Sequence, residues 1–237
     1  MPDAIAGSGG AGSGGAPGTG GAMAGADADR RDDAGGDAGL DGGGDRMNDA
    51  PPASHPATLT NAYVTTLAGS AVNGGPNQDN CPAGQALIGF TGSLNMTDAT
   101  VAVNRQITAH CGVVAIDGTT VTTNAGATLP TRGQAGVLAW TSSCPANQVV
   151  IGFSGRTGSL VDQLTFICAP LIASSNAVGT ALMAGTETSL PPAGGNGGTA
   201  FGAIKCAAGE VGSGALARTG TEMDGFALVC SKIAIAP

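Results

Sequence analysis

The chain has 237 residues, of which 42 are Gly and only 11% are charged, with a net charge of −8. Nine Lys and Arg in all cannot form the basic face by which nucleic-acid binders release counterions, and no apolar run reaches the roughly 18 residues of a membrane-spanning helix. Two His, His55 and His110, leave little for acid–base chemistry at neutral pH.

Residues 1–57 hold 16 Gly, nine Asp, three Arg and no aromatic residue, so they carry −6 of the net −8. Such a segment cannot bury enough apolar surface to offset the roughly 1–2 kcal/mol lost per ordered residue, and it is predicted to be a disordered tether. Six of its Asp recur every fourth residue, at 29, 33, 37, 41, 45 and 49. A Ca²⁺ loop varies its ligand spacing to wrap one ion, so this even ladder reads as a solvated spacer, and neither a metal nor a cofactor is expected. From Thr58 onward short Thr, Val, Ala, Ile and Leu runs are broken by Gly, Asn and Pro, as in Val149-Val-Ile-Gly-Phe153 and Leu164-Thr-Phe-Ile-Cys168. That texture predicts an all-β domain over 58–237, with helix nearly absent.

The six Cys fall at 81, 111, 144, 168, 206 and 230, and alternate ones recur after 63 and 62 residues. In that register Cys81-Pro-Ala-Gly-Gln-Ala-Leu-Ile-Gly89-Phe90 matches Cys144-Pro-Ala-Asn-Gln-Val-Val-Ile-Gly152-Phe153, and more loosely Cys206-Ala-Ala-Gly-Glu-Val-Gly-Ser-Gly214-Ala215. The second and third copies share Arg-Thr-Gly at 156–158 and 218–220, an Asp at 162 and 224, and a closing Cys 24 residues after the first. The first copy closes after 30 residues, which places a six-residue insertion around Asn95–Thr100. The chain thus contains three repeats, about 58–118, 119–181 and 182–237. Three equivalent copies should form three equivalent bridges: Cys81–Cys111, Cys144–Cys168 and Cys206–Cys230. Clustered metal thiolates and redox motifs both need closer Cys pairs than these.

Structural disulfides imply an oxidising compartment, and hence an extracellular, cell-surface or periplasmic location. Met1-Pro-Asp-Ala-Ile-Ala-Gly has neither the basic start nor the apolar core of an export leader. The expectation is therefore that the natural start lies upstream or that the chain has been processed. A Gly-rich tether before a disulfide-linked domain suits an exported bacterial protein, including one with a lipid anchor.

The pattern Trp140-Thr-Ser-Ser-Cys144-Pro, then Gly152-Phe153, Asp162 and Cys168, resembles a repeat of the vitelline membrane outer layer protein family. Gly152-Phe-Ser-Gly155-Arg156-Thr-Gly158-Ser-Leu-Val-Asp162 is similar to a segment of jacalin-type lectins. Both resemblances imply a β-prism, three Greek-key antiparallel sheets around a pseudo-threefold axis. The lectin resemblance further implies that the Gly-x-x-x-Asp loops, Gly158–Asp162 and Gly220–Asp224, bind sugar hydroxyls through backbone N–H groups and the carboxylate. The alternative is that Asp162 and Asp224 only hold turns by bonding to nearby backbone N–H groups. Arg156 and Arg218, six residues before these Asp, could pair with them across a hairpin. Arg105 replaces the Asp in the first copy, which is not expected to share their ligand chemistry.

No catalytic constellation emerges. His55 sits beside Pro56, and His110 takes a position that is Ile167 and Val229 in the other copies, so it reads as a satisfied, partly buried residue. Trp140, Phe90 and Phe153 read as core. Asp162 and Asp224 belong on different sheets, too far apart for paired-carboxylate hydrolysis, and no phosphate-binding Gly-x-x-x-x-Gly-Lys motif occurs. The first expectation is a non-catalytic structural or coat component at the cell surface. The alternative is a carbohydrate-binding module, with extracellular glycans or other surface proteins as partners.

Overall fold

The computed structural model describes residues 55–117, 119–176 and 179–235. Contacts divide the chain into Met1–Arg46 and Met47–Pro237, and the architecture below is that of the second unit. The tether expected over 1–57, with its Asp ladder, lies outside the described residues except at its end. There the first strand, His55–Val64, begins three residues before the expected boundary at 58 and takes in His55.

The described residues form strands and turns with no helix. Three long antiparallel hairpins dominate, one per repeat: Gln85–Leu94 with Asn104–Asp117, Gln148–Thr157 with Val161–Asn176, and Glu210–Thr219 with Met223–Ile235. Each hairpin is the centre of one sheet, and the three sheets form the expected threefold β-prism. A shorter strand pairs with the leading arm of each hairpin, and it comes from a neighbouring repeat. Leu138–Ser143 joins the first hairpin, Thr199–Lys205 the second, and Gly75–Asn80 the third. Each repeat therefore donates the strand just before its first Cys to another copy's sheet, and sheet limits in space do not coincide with repeat limits in sequence. The ring closes where His55–Val64 pairs with Met223–Ile235, tying the first described strand to the last.

This exchange of strands explains the bridges. All three expected disulfides form, with Cα–Cα separations of 5.8, 5.7 and 5.5 Å. Cys81, Cys144 and Cys206 each follow a donated strand, and their N–H groups donate to Ser213, Ile88 and Ile151 of the receiving sheet. Their sulfurs join Cys111, Cys168 and Cys230 in the sheet of their own repeat. Every disulfide thus staples two different sheets. Arg132 adds a bidentate clasp to Asp79 between the first and third sheets, with Nε–Oδ2 and Nη2–Oδ1 distances of 2.7 and 2.6 Å, and the partnership raises the Arg132 pKa.

Inward-facing positions of the three hairpins meet in a common core. Phe90 and Phe153 occupy equivalent positions and are fully buried, as expected, along with Phe166 and Phe226. Phe90 stacks on Phe166 with centroids 4.2 Å apart, and Phe226 meets Phe153 edge-on at 5.0 Å. The third copy's smaller Ala215 is offset by Phe226, which stands where the other copies have Ile107 and Leu164. Volume is conserved over the threefold set rather than at each position, as close packing demands. Trp140 packs half-buried against this core, 6.4 Å from the Phe166 ring.

Candidate functional site

In the second hairpin, the arms are joined by a three-residue turn, Gly158-Ser-Leu160, closed by a bond from Gly158 N to Leu160 O at 3.0 Å. Val161 then plugs the core, fully buried, and Asp162 follows it. The third hairpin repeats the arrangement: Gly220 N donates to Glu222 O at 2.9 Å, Met223 is buried, and Asp224 follows. The tight turns and the alternation of strand side chains place both carboxylates in the same way.

Around each Asp lies a glycine-rich loop from just before the donated strand. Gly194-Gly-Asn-Gly-Gly198 surrounds Asp162: Gly195 N donates to Asp162 O at 2.9 Å. Gly197 and Gly198 lie so close to the carboxylate that a Cβ on either would collide with it. Gly198 also has φ +58°, a left-handed conformation that glycine adopts without strain. At the third site Ser70 N donates to Asp224 O at 2.7 Å, and Gly74, with φ +64°, lies against the Asp224 carboxylate. Both cradles arise from segments far away in sequence. The expected motif glycines only border the sites. A Cβ on Gly158 would be 3.9 Å from Asp162 Oδ2, and one on Gly220 would be 3.4 Å from Asp224 Oδ2.

The expected Arg–Asp pairing does not occur. Arg156 donates through Nε to Gly197 O at 2.7 Å and through Nη2 to Gly198 O at 2.9 Å, and Arg218 donates equally to Asn73 O at 2.9 Å and Gly74 O at 2.8 Å. Each guanidinium fixes the glycine loop and leaves the carboxylate alone. Among the described residues the ion pairs are Arg132–Asp79 and Lys205–Glu187, and no hydrogen bond reaches the side chain of Asp162 or Asp224. Turn-holding by these carboxylates is thus not what the geometry shows. Asp224 is only 9% exposed and its carboxylate has no partner among the described residues, which leaves its acceptor sites open to a donor from outside the protein.

The first hairpin inverts the chemistry. Arg105 stands where the other copies have Asp, and Ser93 where they have Arg. Arg105 donates through Nε to Thr221 O at 3.2 Å and through Nη2 to Gln134 Oε1 at 3.1 Å, while Ser93 Oγ accepts from Gly136 N at 2.8 Å. His110 lies half-buried between the hydroxyls of Thr91 and Thr128, 2.9 Å and 3.3 Å away, as a satisfied strand residue.

Sequence reasoning found the two Asp and their bordering glycines and missed the glycine loops. The available signal was the run Gly-Gly-Asn-Gly-Gly at 194–198, echoed by Asn73-Gly-Gly75. No family model and no curated protein matches the chain, and nothing specific supports the vitelline membrane resemblance. Among solved structures it is similar to Malaysian banana lectin, at 15% identity over 72% of this chain and 98% of that one, with a TM-score of 0.46. It is also similar to Calystegia sepium agglutinin, at 14% identity, 73% and 99% coverage and a TM-score of 0.45. A mannose-binding jacalin-related lectin from Ananas comosus is similar at 15% identity, with 71% and 96% coverage and a TM-score of 0.43.

Proposed function

We propose that this protein is a non-catalytic carbohydrate-binding module with two sites, centred on Asp162 and Asp224. The observation that carries the reading is a carboxylate without a protein partner among the described residues, set against a left-handed glycine of a facing loop at both hairpin tips. An ionised carboxylate offers only acceptors, two oxygens with about four lone-pair sites. Neighbouring hydroxyls on a sugar ring supply paired donors at matching separation. Hydrogen bonds to a charged group contribute about 1.5–3 kcal/mol each, so a single site binds weakly. Two sites on one rigid domain suit multivalent glycans, where linkage raises avidity without new contacts.

The coat role expected first from the sequence gives no reason for two carboxylates without protein partners among the described residues to stand at equivalent hairpin tips. The three inter-sheet disulfides support an exported protein, which would meet extracellular glycans. The deciding experiment is a glycan array with the wild-type chain and with Asp162→Asn, Asp224→Asn and the double variant. Reproducible binding that the double variant loses supports the module. A blank wild-type array over broad glycan coverage rejects it and returns the structural role to first place.

A further inference from the structure

The first repeat departs from the other two in three ways, and two of them converge on the Asp162 site. Its hairpin turn is longer by six residues. Asn95 N donates to Val103 O at 3.1 Å, as Gly158 N does to Leu160 O, so the insertion is confined within 96–102. This longer turn reaches the glycine loop of the second site: Ala102 O accepts from Gly195 N at 2.9 Å and Thr100 O from Asn196 N at 2.7 Å. The fit leaves no room for a side chain, since a Cβ on Gly195 would sit 2.7 Å from Ala102 O and 2.8 Å from Thr100 O.

The second departure is Asn104, which takes the core position held by Val161 and Met223 in the other copies. It is 0% exposed, and its Nδ2 donates to Ala193 O at 3.2 Å and Val161 O at 3.4 Å. One buried amide thus pins both strands that lead into the Asp162 site. The insertion is itself held by Asp98, whose Oδ1 accepts from Thr100 N at 3.0 Å and Thr100 Oγ1 at 2.6 Å, and whose carbonyl accepts from Ala102 N at 3.1 Å. The third site lacks this support. By the repeat symmetry its buttress would come from the Gly158–Leu160 turn, which is six residues too short. Its glycine loop instead bonds to itself, Ser70 Oγ accepting from Asn73 N at 3.1 Å and Val72 N at 3.3 Å.

We propose that the first-repeat insertion, with Asn104 behind it, is the positioning element of the Asp162 site, holding the Gly194–Gly198 loop in its ligand-ready shape from another repeat. This inference rests on the sugar-binding reading of that site. Preorganisation raises affinity by removing the cost of ordering the loop on binding, so the buttressed second site is the stronger of the two.

The test uses the full chain with Asp98→Ala, an exposed change, and Asn104→Ala, a buried one. Amide hydrogen exchange, read by NMR, reports the loop without any ligand. Affinity is measured by titration with methyl glycosides of the common hexoses, in Asp224→Asn and Asp162→Asn backgrounds that leave one site each. Both changes should speed exchange at Gly195 and Asn196 about tenfold or more and leave Ser70 unaltered. Both should weaken binding about fivefold in the Asp224→Asn background and not in the Asp162→Asn background. Unchanged exchange in both variants would overturn the buttress. Faster exchange with unchanged affinity would overturn the positioning role while the sugar-binding reading stands. Absence of wild-type binding to every glycoside and on the array would remove that reading, and the positioning role with it.

Discussion

The tips of the second and third hairpins end in short turns and carboxylates without a partner among the described residues, whereas the tip of the first ends in a longer turn, a buried amide and an arginine. The backbone beneath them is the same: a hairpin, a strand donated by a neighbouring repeat, a disulfide, and a left-handed glycine, Gly69, Gly133 or Gly194, opening the facing loop. A threefold scaffold thus tolerates a copy whose tip carries different side chains, because the forces closing the prism lie elsewhere. Inter-sheet disulfides and the shared aromatic core do not depend on which side chain stands at position 105, 162 or 224. The first copy has turned its tip towards its neighbours instead, the insertion towards the second site and Arg105 towards Thr221 of the third turn.

If the scaffold is symmetric while the tips are not, replacing any one Cys pair by Ala should cost much the same, roughly 3–4 kcal/mol for loops of this size. Thermal or denaturant unfolding checks this, and one bridge standing apart by more than the others' spread would break the symmetry of the scaffold. Next in size is ligand binding. Asp162→Asn should weaken glycan affinity at least tenfold, about 1.4 kcal/mol, and Asp224→Asn should do less, because only the second site is buttressed. Equal losses in calorimetric titration would contradict that ranking.

The glycine cradle sharpens the comparison further. Gly198→Ala forces a residue with a Cβ into φ +58° against the Asp162 carboxylate, so it should cost about 1 kcal/mol or more in unfolding experiments and impair the second site. Gly158→Ala, whose Cβ meets only ordinary contacts at 3.8 and 3.9 Å, should change stability by less than about 0.5 kcal/mol.

Two smaller effects concern the first tip. The hydroxyl and N–H of Thr100 hold the Asp98 pKa below its ordinary value. A depressed folded pKa means the interaction is present above the ordinary Asp value and is lost as pH falls through the lowered one. An NMR titration of the Thr100 amide should therefore show a midpoint below that of an unperturbed Asp, and Thr100→Ala should move the Asp98 midpoint up. Arg105→Ala, which removes one long bond to the third turn, should weaken the Asp224 site by less than about threefold, in line with an exposed interaction, and leave the Asp162 site alone.

The linear sequence determined the scaffold. Spacing of the six Cys fixed the repeat, the repeat fixed the bridges, and Gly-punctuated β-branched runs fixed the all-β class, since local backbone preference and loop closure act along the chain. It also marked Asp162 and Asp224, because the turns that present them are local. Tertiary structure alone decided which sheet the strand before each repeat's first Cys joins, and therefore that every bridge spans two sheets. It also decided what surrounds each carboxylate. The Gly194–Gly198 loop comes from the next repeat, the Gly69–Gly74 loop lies some 150 residues before Asp224, and the insertion that braces the second site belongs to the first. Those meetings depend on three sheets packing around one core, and no periodicity along the chain encodes which hairpin tip will touch which loop.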